Sequence, residues 1–196
     1  MVDDPLEEII IAVRGELVGL GPLRREMAPV FQRWMNDVRV HRTLALPGLP
    51  MSLEAEMAFV EGALTSADAI FTIYELESMR PIGNTELHAI DHADGTATFG
   101  IVIGEPDVWG KGYGTEATRL MAGYGFDVLG LHHIRLDVYA SNERAWRAYE
   151  RAGFKRAGGL RQAKRLGRER HDVIIMEALA DEFPRSYLHE VMNPPR

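Results

Sequence analysis

Apolar residues recur along this chain with a period that switches between helix and strand, and the switches lay out its elements. Ile9-Ile10-Ile11-Ala12-Val13 and Leu17-Val18-Gly19-Leu20 flank Arg14-Gly15-Glu16, the pattern of a β-hairpin or of a strand after an irregular start. Met27, Val30, Phe31 and Trp34 fall at helical spacing, as do Leu53, Met57, Val60, Glu61 and Leu64 behind an N-cap at Ser52. Strand-like runs follow at Ala69–Leu76, Ile82–Ile90 and Thr96–Ile103, with the hairpin dipeptide Asp94-Gly95 between the last two. Ala117, Leu120, Met121, Tyr124 and Val128 then form one stripe of a helix from Gly114 to Leu129, which Gly130 ends. His133–Ala140 reads as a strand, Asn142–Ala152 as a helix closed by Gly153, and Phe154–Leu166 and His171–Leu179 as the final strands. Helices join some strands and hairpins others, which makes the fold class mixed α/β (α+β).

A length of 196 residues suits one domain, and 46% hydrophobic with 26% charged residues suits a packed core rather than disorder. No apolar run approaches the roughly 20 residues of a spanning helix, and Met1-Val2-Asp3-Asp4-Pro5 has no basic lead into a signal core. Neither a membrane partner nor export is expected. With no cysteine, disulfides, thiolate metal sites and a cysteine nucleophile are excluded together, and a cytoplasmic setting follows as the expectation. A net charge of −7 lacks the global basic footprint of a nucleic-acid binder and weakly favours a cationic partner.

Candidate chemistry begins at Gly104-Glu105-Pro106-Asp107-Val108-Trp109-Gly110-Lys111-Gly112-Tyr113-Gly114-Thr115, between a strand and a helix. Glycines there let the backbone take positive φ, and free N–H groups at the positive end of the helix attract phosphate. The segment matches neither the P-loop nor the Rossmann fingerprint. Downstream, Asn142 and Tyr149 stand seven apart, on one side of a helix two turns apart. Each also has a purely structural reading, Asn142 as an N-cap and Tyr149 as a core residue with a wet hydroxyl.

Together the two segments resemble the GNAT superfamily of acetyl-CoA-dependent N-acetyltransferases, in its ribosomal-protein and spermidine N-acetyltransferase branch. Trp109-Gly110-Lys111-Gly112-Tyr113-Gly114 carries both glycines of the family's pyrophosphate turn, with Trp109 where the family has a basic or amide residue. Asn142, Ala145, Tyr149, Gly153 and Phe154 match the following helix, Gly167–Met176 looks like the branch's final hairpin, and Ile82–His88 its third strand. The resemblance runs from Leu17 to Leu179, so residues 1–16 read as an N-terminal extension, 17–179 as the acetyltransferase domain and 180–196 as a C-terminal tail.

That resemblance implies a mainly antiparallel central sheet with a splayed strand pair, flanked by helices. Backbone N–H groups near Val102, Ile103 and Gly104 would hold the pantetheine arm and polarise the thioester. The main chain of Trp109, Gly110, Lys111, Gly112, Tyr113, Gly114 and Thr115 would hold the diphosphate, and Asn142 the amide arm. Tyr149 is the candidate acid, protonated at neutral pH and able to donate to a departing thiolate. A primary amine must lose a proton before it attacks, and Glu86, ahead of Glu105, is the candidate base. The implied activity is direct acetyl transfer to an amine on a protein N-terminus, a polyamine or a small molecule. A non-catalytic acyl-CoA-binding or sensor module, and an unrelated phosphate-binding α/β protein, are the other readings. Acceptor selection is expected around Trp34 to Pro50.

His88 and His92 would stand roughly 13 Å apart on a strand, too far to share a zinc, so no metal is assigned. Arg161, Lys164, Arg165, Arg168 and Arg170 read as a solvated hairpin face, with contact to the cofactor's 3′-phosphate or to an acidic partner as alternatives. Val173-Ile174-Ile175-Met176 is expected to pair with a second subunit in a small homo-oligomer, most simply a two-fold dimer.

Overall fold

The computed structural model describes residues 9–44 and 49–194, so residues 45–48 of the expected acceptor region lie outside the described residues. Eight strands form one sheet in the order β1-β2-β3-β4-β5-β6-β8-β7. They are β1 (Val13–Arg14), β2 (Val18–Pro22), β3 (Ala69–Glu75), β4 (Pro81–Asp91), β5 (Thr96–Ile103), β6 (His133–Tyr139), β7 (Lys155–Leu166) and β8 (Glu169–Leu179). Every neighbouring pair is antiparallel except β5 and β6, which run parallel. The exception has a topological cause. A crossover through the helix α4 (Tyr113–Gly123) and a wider π turn (Tyr124–Val128) joins β5 to β6, whereas hairpins join β3 to β4, β4 to β5 and β7 to β8.

Side chains alternate across the sheet, and the two faces bury different helices. On one face Leu20, Phe71, Ile73, Leu87 and Phe99 pack with Ala117 and Met121 of α4 into the main core. On the other, Leu23 and the partly buried Ile70 meet α1 (Ala28–Asn36) and α3 (Leu53–Thr65) through Phe31, Trp34 and Val60. Two short helices, α2 (Val38–His41) and α6 (Tyr187–Met192), and the helix α5 (Glu143–Ala152) complete the set. Val13 and Leu188 both join the main core, so chain on either side of 17–179 is packed on the same sheet.

Two expectations change. The α3 stripe is not the one that apolar spacing picks out: Val60 and the carboxyl-bearing Glu56 are buried, while Met57, Phe59 and Leu64 are exposed. α3 packs mainly on α1, so one narrow strip of it is covered. Burial pushes the Glu56 carboxyl above its ordinary pKa. The strand containing Val173-Ile174-Ile175-Met176 is not free to pair with a second subunit. It is β8, held by β6 on one side and β7 on the other, because the final hairpin folds back and puts β7 at the edge.

Candidate active site

The site grows from the parallel strand pair. β5 and β6 are paired only at Thr96–Thr98 with His133–Arg135. Past that point Phe99–Ile103 stay on β4 and Leu136–Tyr139 stay on β8, so a gap opens between strands that remain parallel. Antiparallel alternation decides which amides face it. The Gly104 N–H donates to the Ile82 carbonyl at 2.9 Å, which makes 104/82 and 102/84 the hydrogen-bonded pairs and turns the Ile101 and Ile103 amides to the gap. Of the three amides expected to hold a ligand, those of Gly104 and Val102 are therefore engaged with β4, and Ile103 remains. Gly104 is glycine for another reason: a Cβ there would meet the buried Trp34 ring at 2.1 Å.

At the open end stands the glycine turn. Gly110 and Gly112 have φ of +80° and +96°, a region that favours glycine, and Gly112 caps α4. A Cβ on Gly110 would meet nothing within 4 Å, so this backbone lies bare. The N–H groups of residues 110–114 find no acceptor among the described residues. At the two ends of the expected cradle the amides are engaged within the chain, the Thr115 N–H on Gly112 O at 3.0 Å and the Trp109 N–H on Pro106 O at 3.3 Å. A row of unsatisfied amides at a helix N-terminus fits a diphosphate.

Contacts from distant chain fix this turn. The Glu116 carboxylate, one turn into α4, accepts the N–H groups of Glu16, Leu17 and Val18, each at 2.8 Å. Gly15 makes room for it, since a Cβ there would approach the carboxyl at 2.8 Å. On the other side Tyr113 donates its hydroxyl to Glu75 at 2.7 Å, and Arg80 pairs with Asp107 at 2.7 Å. The Ser78 and Tyr113 hydroxyls hold the Glu75 carboxyl below its usual range. None of these pairings has a local signature, and sequence reasoning misses Glu116, Glu75 and Gly15.

α5 forms the far wall. Asn142 does cap it, its Oδ1 accepting the Ala145 N–H at 3.3 Å, which leaves the Asn142 Nδ2 donor for a ligand. Trp109 bridges the walls: its indole N–H donates to Ile103 O at 2.9 Å, and the Arg144 guanidinium lies 3.8 Å above its ring. Tyr149 packs edge-on against Phe99, the first β5 residue past the pairing, with ring centroids 5.9 Å apart. Burial pushes its hydroxyl up to about 12, against the opposing pull of Arg144. Tyr149 and the glycine turn are thus brought to one gap.

Glu86 lies on the opposite, α1-facing side of the sheet, directly across from Gly100 and half-buried. A Cβ on Gly100 would touch its carboxyl at 2.8 Å, so that glycine leaves its space. Desolvation raises its pKa, Asp68 adds to the rise, and His88, 4.0 Å away, opposes it. Two residues along the same face, Asn84 Oδ1 is buried without a hydrogen-bond partner. Glu105 is differently placed: it accepts the Trp34 indole N–H at 2.8 Å and pairs with Arg33, which ties α1 to the end of β5.

Among the described residues no helix is long and apolar enough to cross a membrane, and no three side chains group as metal ligands. Residues 18–155 match the model of the acetyltransferase (GNAT) domain. The chain is 35% identical over 112 residues to the spermidine N(1)-acetyltransferase of Escherichia coli K12, covering 57% of this chain and 58% of that one. It thus spans a little over half the length of that curated relative. It is 29% identical over 154 residues to the human alpha/beta-tubulin-N-acetyltransferase 9, covering 72% and 73% of the two chains. The spermidine N-acetyltransferase of Vibrio cholerae, solved in complex with CoA and spermine, shares the fold at a TM-score of 0.78 and 24% identity, over 86% of this chain and 98% of that one. With the domain model spanning most of the chain and the glycine turn, gap and α5 in place, this chain belongs to the GNAT acetyltransferase family.

Proposed function

We propose that the chain is an acetyl-CoA-dependent N-acetyltransferase that moves the acetyl group to a primary amine by direct attack, without a covalent enzyme intermediate. The observation that carries the reading is the gap itself: parallel strands part after Thr98, bare amides of residues 110–114 stand at its mouth, and Tyr149 stands at its root. Acetyl-CoA would supply an activated thioester carbonyl and a thiol leaving group. The amides of Gly110, Lys111, Gly112, Tyr113 and Gly114 would bind its diphosphate, and Asn142 Nδ2 with the Ile101 and Ile103 amides would hold its arm. An alkylammonium titrates near 10.4, so it must lose a proton, and Glu86, with a raised pKa, is suited to take it directly or through water. Asn84 Oδ1, an orphan acceptor on the same face, supports a bound N–H donor such as an amine. Tyr149 would donate to the departing sulfur. Both relatives named above act on amines by their names, one a polyamine and one a protein.

A chain without cysteine fits a reducing, cytoplasmic setting. A homo-oligomer would need a surface other than β8, and the exposed Met57 and Phe59 of α3 support one. The test of the activity is thiol release from acetyl-CoA across a panel of polyamines, small amines and N-terminal peptides. Turnover with any of them is expected. Tight acetyl-CoA binding with no acceptor in the panel would favour the binding-module reading instead.

A further inference from the structure

The hairpin of β7 and β8 carries charge that the rest of the molecule does not neutralise. Seven Lys or Arg side chains and one carboxylate, Glu169, stand between residues 155 and 170, in a chain of net charge −7. Two of these cations are used within the fold: Lys155 pairs with Glu182 at 2.7 Å, and Arg156 pairs with Glu150 at 2.9 Å while lying over Trp146. Arg161, Lys164, Arg165, Arg168 and Arg170 are exposed, and none has a carboxylate partner among the described residues. The register sets Arg165 directly opposite Arg170, and Lys164 opposite His171. Like charges in opposed positions destabilise a strand pair, and an anion lying across them would relieve that cost.

This ribbon stands beside the mouth of the gap. Ala140, just past β6, donates its N–H to Asp172 O at 2.9 Å, and the Tyr139 ring meets His171 at 6.2 Å. The Asp172 carboxylate in turn holds the Gln162 N–H at 2.8 Å, where the strand bulges. Beyond Asp172 the hairpin continues five residues to Gly167, roughly 15 Å at about 3.3 Å per residue. It overhangs the end of β6 that leads into α5. Of the acids near that end, Glu105 pairs with Arg33, Asp107 with Arg80 and Glu143 with Arg147, while Asp137 of β6 and Asp172 of the hairpin have no cationic partner among the described residues, so the ribbon's cations outnumber the free carboxylates. Arg144 and the neighbouring Arg42 add further positive charge.

We propose that this ribbon docks the acceptor, and that the acceptor is an acidic polypeptide segment presenting its N-terminal amine to the gap. The inference rests on the acetyltransferase reading above and names its substrate class. Five unpaired cations strung along a hairpin suit an extended polyanion better than a single small one. A nucleic acid is less suited: residues 155–170 contain no aromatic side chain on which a base could stack, and the body of the chain is acidic. A second copy meeting this ribbon about a two-fold axis would set cation against cation. A polycationic amine would be repelled.

The experiment compares two octapeptides with the same first two residues, continuing with Asp and Glu in one and with Ser and Gly in the other, as acceptors for the full chain. The acidic peptide is expected to have a kcat/KM about tenfold higher or more at low salt, an advantage that shrinks as salt rises. Arg165→Glu with Arg168→Glu is expected to bring the ratio toward one while leaving the neutral peptide's kinetics unchanged. Fluorescence anisotropy of the labelled acidic peptide reads docking independently of turnover. Equal kcat/KM for the two peptides, a clear preference for spermidine, or tighter binding of an oligouridine than of the acidic peptide would overturn the docking proposal and leave acetyl transfer standing. Salt-sensitive binding of the acidic peptide without transfer to any amine would support the docking surface and overturn the catalytic reading.

Discussion

Tyr149→Phe isolates one proton, because the ring stays and only the hydroxyl goes. The contacts that position the ring, Phe99 at 5.9 Å and Phe154 at 6.4 Å between centroids, survive the change. Among the described residues the hydroxyl makes no hydrogen bond that the change would remove, so the thermal midpoint should stay within about 2 °C of wild type. The pKa of about 12 sets what the group can do. At pH 7 only about one part in 10⁵ is ionised, so the donor is always present and no limb of the pH profile between 6 and 9 belongs to it. A thiol titrates near 8.5, so complete transfer of the proton to the thiolate runs uphill by roughly 3.5 pKa units, about 5 kcal/mol. In the proposed reaction Tyr149 would therefore serve as a hydrogen-bond donor to developing charge on the sulfur rather than as a full proton donor. Loss of one such donor in an enclosed site costs about 10²–10³ in kcat, or about 2.7–4 kcal/mol. Steady-state rates at saturating acetyl-CoA and acceptor, with calorimetric cofactor affinity as control, make the measurement. A mutant within threefold of wild type both at steady state and in a single turnover would refute the role, since the single turnover removes product release as the limiting step.

Glu86 must be ionised to accept a proton, and its pKa is raised, so kcat/KM should fall as pH drops through a value above the ordinary carboxylate range. Glu86→Gln should lower the rate at neutral pH and abolish that acid limb; a limb that persists unchanged assigns the base elsewhere. The sign for stability is opposite: a folded-state pKa above the unfolded one favours the fold at low pH, and that advantage is lost as pH rises through the folded value. Glu86→Gln should accordingly raise the melting temperature at pH 7 and have little effect near pH 4. Gly112→Asp places a negative charge in the amide turn at a left-handed position, and acetyl-CoA affinity by calorimetry should fall at least about tenfold; unchanged affinity removes the diphosphate from that turn. Gly104→Ala drives a Cβ into Trp34, and urea unfolding should show a loss of about 1–3 kcal/mol or more, the usual cost of overpacking.

Periodicity located nearly every strand and helix because the sheet separates two apolar faces and each element writes its own burial into its spacing. Asp94-Gly95, Gly130 and Gly153 marked their turns for the same local reason, as positions where the backbone has to leave an element. The glycine turn and the Asn142 cap were equally legible, since positive φ and helix capping are decided within a few residues. The short helices α2 and α6 carry too few residues to show a period.

What the sequence could not determine depends on partners far along the chain. Glu116 is an ordinary helical glutamate until three amides about a hundred residues away converge on it. Whether an amide of β5 faces the gap or β4 depends on which residue pairs with Ile82, a matter of register. Glu105 and Glu86 have the same chemistry in isolation; packing gave one to Trp34 and Arg33 and left the other over Gly100, half-buried with a raised pKa. β8 lost its expected free edge because the final hairpin closed back over it. Local backbone preference and side-chain periodicity act over one or two turns of chain, so the elements and the glycine turn are legible without any tertiary contact. Register, desolvation and long-range hydrogen bonds exist only once the strands are side by side, and these decided which residues meet at the gap.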